Sequence, residues 1–174
     1  MARSSKELVV FALAAVLATT LLFRVSNYFI VYNVQVGDRA PGFDLTESVD
    51  GSGFGLDDYR GKWVLLNFWA TWCPPCVEEM PSLNSLYESM RERGFVVLAV
   101  SIDEDLDQYR QFLNQANVTF PTVRDPERSV AARYGTFKYP ESYLISPDGV
   151  VKRKYVGAEN WRRPEIVNYL DSLL

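Results

Sequence analysis

At 174 residues the chain is long enough for one domain of roughly 140 residues plus an appendage, and such a domain buries a sizeable core without staples. Hydrophobic residues make up 48% and charged residues 23%, as in ordinary globular proteins; a net charge of −4 and no basic stripe interleaved with aromatics exclude an evident nucleic-acid surface. Histidine is absent, which rules out a Ser-His-Asp or Cys-His site and any haem held by a histidine of this chain, and two cysteines are too few for a disulfide scaffold.

Met1–Glu7 carries Arg3 and Lys6, and Leu8–Phe23 is then uncharged and strongly apolar. As a helix this run spans about 24 Å, short of the ~30 Å hydrocarbon core of a bilayer. Extending it past Arg24, whose side chain can snorkel to the headgroups, to about Tyr28 makes up the difference. Tyr28, Phe29 and Tyr32 then fall where an interfacial aromatic belt belongs. A retained anchor is preferred over a cleaved signal peptide because Thr19–Arg24 offers no clean small-x-small cleavage site; a buried soluble helix is the third reading. Basic residues at the extreme N-terminus favour an inside start, so the rest of the chain lies across the membrane. Residues 1–33 are read as anchor and juxtamembrane segment, and 34–174 as the globular domain.

Asn33 to Asp44 is a linker with Gly37, Pro41 and Gly42, and Phe43–Leu45 with Phe54–Leu56 forms a small hairpin around Asp50-Gly51-Ser52-Gly53. Residues 58–62 read as a turn. Trp63–Trp69 is a continuous apolar run of strand length, as in a buried central strand. Pro74 to about Arg93 is a helix with Met80, Leu83, Leu86, Tyr87 and Met90 on one face, kinked at Pro81 and stopped by Gly94. Phe95–Ile102 is a second buried strand and Asp105–Ala116 a helix. Pro121–Val123 is a short strand and Glu127–Tyr134 a short helix. Ser142–Ile145 and Val150–Val156 form a hairpin across Ser146-Pro147-Asp148-Gly149, and Pro164–Leu174 is a closing helix. Strands alternating with helices, then a hairpin and a helix, describe an α/β domain with a mixed sheet.

The chemical signal is Trp72-Cys73-Pro74-Pro75-Cys76 at the junction of the first buried strand and its helix. Unpaired N–H groups and the positive end of the helix dipole stabilise a thiolate there. Two cysteines three apart on a first helical turn can close a small disulfide, with Cys73 the exposed nucleophile and Cys76 resolving the mixed disulfide. Zinc needs four ligands, and the chain has no other cysteine and no histidine to complete a set. A structural disulfide closing so short a loop contributes little stability.

The run Asn67-Phe68-Trp69-Ala70-Thr71-Trp72-Cys73-Pro74-Pro75-Cys76 resembles the active-site segment of the TlpA/ResA/DsbE group of thioredoxin-like proteins. Three further segments are similar to that group in the same order: Val36–Leu45 to its opening segment, Phe120–Asp125 to its central insertion, and Tyr139–Gly149 to its proline loop and hairpin. The match covers roughly residues 34–174. The resemblance implies a thioredoxin-like fold with a mixed central sheet, a central αβ insertion and an N-terminal hairpin, here preceded by one transmembrane helix.

It also implies roles. Pro140 becomes a cis-proline facing the disulfide, the backbone of Tyr139 pairs with the substrate chain, and Trp72 is an exposed aromatic beside the thiols unless it caps the core. Ordinary thioredoxins carry a buried Asp where this chain has Asn67, so their usual proton acceptor is missing. Glu79, one turn after Cys76, matches the acidic residue of the ResA-like proteins and becomes the candidate for proton transfer; the alternative is a solvated helix glutamate like Glu78.

The activity implied is extracytoplasmic thiol–disulfide exchange on a bacterial cytoplasmic membrane, without a cofactor, reducing protein disulfides such as those of apocytochrome c. Electrons come in that group from a membrane thiol transporter of the DsbD/CcdA type. Two alternatives stand beside it. A thiol peroxidase needs a Pro-x-x-x-Thr-x-x-Cys loop, whereas Thr71 lies two before Cys73 and Cys76 is then unexplained. A copper metallochaperone could use the two soft thiolates, with Met80 the one soft residue nearby.

Overall fold

The two continuous apolar runs become the centre of a sheet. The computed structural model describes residues 5–28, 33–46 and 53–174, which fall into two units, Met1–Tyr32 and Asn33–Leu174.

In the first unit, α1 (Ser5–Tyr28) is a single helix of 24 residues. Side chains 11–22 are exposed all round it, and the hydroxyls of Thr19 and Thr20 donate back to the carbonyls of Val16 and Leu17. Among the described residues, no helix is long and apolar enough to cross a membrane. Arg3, Phe29 and Tyr32, invoked for the basic start and the aromatic belt, lie outside the described residues, as do Asp50, Gly51 and Ser52 of the first hairpin's turn.

The second unit opens with the short antiparallel pair β1 (Asp44–Leu45) and β2 (Phe54–Gly55), then a 3-10 turn at Leu56–Tyr59. β3 (Trp63–Trp69) is followed by α2 (Pro74–Met90), β4 (Phe95–Ser101), α3 (Leu106–Ala116), β5 (Thr122–Arg124), α4 (Ser129–Tyr134), β6 (Glu141–Ile145), β7 (Val151–Val156) and α5 (Pro164–Asp171). The sheet order is β5-β4-β3-β6-β7, with β3, β4 and β5 parallel and β6 and β7 antiparallel to their neighbours. This mixed sheet is the thioredoxin-like arrangement. β4 is buried throughout and β3 everywhere but Trp63, as the unbroken apolar sequences require.

The helices cover the sheet through their apolar stripes. Met80, Leu83, Leu86 and Met90 of α2 are buried, and the rings of Tyr109 and Phe112 of α3 lie 6.0 and 5.2 Å from that of Trp69. Several boundaries differ from the sequence reading. α2 runs unbroken through Pro81 and passes into a 3-10 turn at Arg91–Arg93 before Gly94, at φ +84°, turns the chain. α4 begins at Ser129 and not Glu127, because the Asp125 carboxylate accepts the amides of Ser129, Val130 and Ala131 and so fixes the first turn.

Candidate active site

β3 and β4 are parallel and in register, Trp69 opposite Ser101, so the loops leaving the two strands meet at one end of the sheet. Two residues beyond those partners lie Thr71 and Asp103. The buried Asp103 carboxylate accepts from the Thr71 amide (3.0 Å), the Thr71 hydroxyl (2.7 Å) and the Ser101 hydroxyl (2.5 Å). It therefore clamps the loop that delivers Trp72 and Cys73.

Cys73 is the N-cap of α2, with extended backbone, and Pro74 and Pro75 open the helix. Proline at the first turn loses no hydrogen bond that the helix would have made. Cys73 and Cys76 are joined by a disulfide, with Cα atoms 5.3 Å apart. Cys73 is 5% exposed and Cys76 not at all, so the first cysteine is the more accessible but is not the open nucleophile expected. Trp72 beside it stands out at 53% exposure and does not cap the core.

The Tyr139–Pro140 peptide is cis, at the start of β6, where Glu141 pairs with Phe68 of β3. That register places the proline loop beside the end of β3 that carries the cysteines. The Tyr139 ring meets that of Trp72 edge-on, with centroids 6.5 Å apart. Behind the loop, the Glu141 carboxylate pairs with Lys154 of β7 at 3.0 Å and accepts from the Tyr143 hydroxyl.

Glu79 is not a solvated helix residue. At 2% exposure it lies on the inner face of α2, three residues after Cys76. Its Oε1 accepts from Asn67 Nδ2 (2.8 Å), and its Oε2 from the Glu159 amide (3.0 Å) and the Trp161 indole N–H (3.2 Å). Burial pushes the carboxyl from the usual 4.5 up to about 7; the Glu159, Asn67 and Trp161 donors pull the other way, and the Glu159 charge adds to the rise. Asn67 is thus more than an absent aspartate: its amide bridges Glu79 to the Ser142 hydroxyl of β6 (2.9 Å). Glu79 also forms part of the wall of a surface cleft of ≈ 470 Å³, with Ser82, Glu159 and Arg162.

Similarity to known proteins places this closed Cys pair, on a strand-to-helix junction beside a cis-proline, in a family. The AhpC/TSA family profile matches residues 36–154. The chain belongs to that family. It is 36% identical over 140 residues to the thiol-disulfide oxidoreductase ResA of Bacillus thuringiensis (strain Al Hakam), covering 80% of this chain and 79% of that protein. To the ResA of Geobacillus thermodenitrificans it is 39% identical, with the same coverage. The thiol:disulfide interchange protein DsbE of Chlorobium tepidum superposes with a TM-score of 0.71 at 33% identity, over 81% of this chain and 96% of that one. The chain is a thiol–disulfide oxidoreductase of the ResA/DsbE type.

Around this oxidoreductase's disulfide, four contributions were missed by sequence reasoning: Asp103, Ser142, Trp161 and the Glu159 amide. Asp103 carried a signal, since residues just past the ends of adjacent parallel strands converge. Trp161 and Glu159 carried none, because they reach Glu79 from 82 and 80 residues away. Among the described residues no cluster of His, Cys, Asp and Glu could hold a metal ion.

Proposed function

We propose that this oxidoreductase is a membrane-anchored reductant of protein disulfides, working on the outer face of a bacterial cytoplasmic membrane, with apocytochrome c cysteines as its substrate class. The observation that carries the direction is the pair Pro74-Pro75 directly after an N-cap cysteine. A thiolate at Cys73 draws on the N–H groups of positions 74 to 76, and prolines have none, so only that of Cys76 is left. Each missing hydrogen bond to a charged group is worth about 1.5–3 kcal/mol. The thiolate is less stabilised than in strong oxidants, whose reduced form is favoured. Asn67 acts in the opposite sense by removing a nearby negative charge, but the lost donors act in direct contact with the sulfur.

In the forward reaction the Cys73 thiolate attacks a substrate disulfide and forms a mixed disulfide, releasing one substrate thiolate that takes up a proton. Cys76 then gives its proton to Glu79 and attacks Cys73 Sγ. The second substrate sulfur leaves as a thiolate and takes up the proton from Glu79, and the enzyme disulfide seen here remains. Two electrons and two protons pass to the substrate, and a membrane dithiol donor of the DsbD/CcdA type restores the enzyme. A carboxyl with its pKa at about 7 is matched to accept a thiol proton near neutral pH.

Anchoring is supported by the uncharged apolar run Leu8–Phe23, by the exposure of side chains 11–22, and by threonine hydroxyls satisfied within the helix. The peroxidase alternative is disfavoured because the Cys73–Cys76 disulfide satisfies both cysteines without a peroxidatic loop. Equilibration of the full-length protein with glutathione or dithiothreitol tests the direction of electron flow. A potential near or below about −270 mV fits a reductant, whereas one near about −120 mV would make the protein an oxidant.

A further inference from the structure

The donors around Glu79 come from two parts of the chain: Asn67 in β3, and the Glu159 amide and Trp161 indole in the segment between β7 and α5. The indole belongs to a side chain that can be changed without touching the cysteines, the proline loop or Glu79. We propose that Trp161 is a positioning residue for the reaction: its indole N–H, with the Glu159 amide, fixes Oε2 of Glu79 and sets the pH at which that carboxyl exchanges its proton through the adjoining cleft. The link to catalysis rests on the proposed role of Glu79 in proton transfer.

The indole is held in place for this. Trp161 is buried, its ring packs edge-on against Tyr155 with centroids 5.1 Å apart, and its own amide donates to Ser82 Oγ at 3.2 Å. Ser82 in turn donates to the Glu79 carbonyl (2.8 Å), so the indole and the glutamate are fixed to the same turn of α2. An indole N–H can only donate, and so it favours the ionised carboxylate. The Asn67 amide, the Glu159 amide and the indole all donate to the Glu79 carboxyl. A proton on Glu79 is therefore disfavoured by these partners and favoured by burial, and the two balance near neutrality.

The charged groups facing Glu79 are few. The Glu159 carboxylate opposes ionisation but is paired with Arg163 at 2.8 Å, while Glu78 and Arg162 share the cleft wall. β3 and β6 present the neutral Asn67 and Ser142, and α2 itself presents Cys73 and Cys76, which titrate only when reduced. Removing the indole donor leaves all of these in place.

The test is Trp161→Phe in the oxidised full-length protein, where the cysteines do not titrate, with the Glu79 carboxyl followed by carbon-13 NMR. Its midpoint is expected to move upward by about 1 pH unit or more, the effect of one lost hydrogen bond to a charged group. The acid limb of the thiol–disulfide exchange profile of the reduced enzyme should move with it. An unchanged midpoint in a folded variant would overturn the proposal, since a merely structural tryptophan lowers the melting temperature and leaves the titration alone. Should the phenylalanine variant fail to fold, 3-benzothienylalanine at position 161 keeps the shape and removes only the N–H. A midpoint that moves while the exchange profile stays fixed would uphold Trp161 and count against Glu79 as the proton carrier, so the two readings fail separately.

Discussion

Replacing Glu79 by glutamine should change both the stability and the rate of this protein, and the two effects have opposite consequences for it. The folded carboxyl titrates at about 7 against 4.5 for a free glutamate. Below pH 4.5 it is protonated in both the folded and unfolded chains and imposes no penalty. As the pH rises toward 7 the unfolded chain ionises first and binds fewer protons, so the folded state loses stability over that window. The full loss corresponds to about 3 kcal/mol, from 1.36 kcal/mol per pH unit. Glu79→Gln removes this slope. Its carbonyl oxygen can keep the Glu159 and Trp161 donors, while its amide faces Asn67, whose Oδ1 is buried with no hydrogen-bond partner and can turn to accept it. The variant should therefore gain about 2–4 kcal/mol on the wild type between pH 4.5 and 8, read by urea denaturation of the oxidised protein at the two pH values. Exchange should slow by about 100-fold near pH 7, the lower range for a lost general base. Parallel stability curves for the two proteins, together with unchanged exchange rates between about pH 6 and 9, would refute the assignment of a buried, proton-accepting Glu79.

Cys73→Ala should abolish reduction of insulin or of a c-type haem-site peptide, whereas Cys76→Ala should retain the substrate as a mixed disulfide on Cys73, detectable on a non-reducing gel. Mass spectrometry of the protein purified from membranes should find residues 1–23 present; a mature start beyond Phe23 would replace the anchor with a cleaved signal. Asp103→Ala leaves the Thr71 amide and two hydroxyls without their acceptor, at a cost of about 2–4 kcal/mol in denaturant unfolding, and should broaden the reactivity of reduced Cys73 toward alkylating agents.

What could be read from the sequence depended on how local each cause was. β3 and β4 announced themselves because a strand buried on both faces leaves no room for polar alternation. The Cys pair was legible because spacing and helix start are adjacent in the chain. Ends of elements were less so: α4 starts where the Asp125 carboxylate caps it from four to six residues upstream, with Arg128 just before it at φ +55°, a left-handed turn that an arginine does not announce. Pro81 lies inside α2, which stays helical through it and carries a buried face that packs over the sheet. Most hidden was the setting of Glu79. Its sequence neighbour Glu78 is exposed; spacing from Cys76 puts Glu79 on the inner face of α2, but its hydrogen-bond partners are Asn67 on one side and residues 159 and 161 on the other, which no local pattern reveals.

The burial of the two sulfurs limits which chemistry this site can do. Exchange requires an attacking thiolate to approach along the line of the S–S bond, and the outcome depends on which sulfur is attacked. Cys76 is wholly buried, so an incoming donor thiolate can reach only Cys73, and only Cys73 can carry a mixed disulfide in either direction. Release from that intermediate then falls to Cys76, which sits in a closed environment with no solvent to take its proton. A thiol so placed needs a proton acceptor within the protein, and the acceptor proposed above is Glu79 on the next turn of the same helix, its carboxyl pushed up to about 7 by burial. Ordinary thioredoxins place an aspartate below the cysteines, in the strand. Here the strand position is Asn67, which cannot take a proton but donates to the Glu79 carboxylate. In the proposed mechanism the proton acceptor lies on the helix instead of in the sheet, and two of the donors that set its affinity come from the segment between β7 and α5.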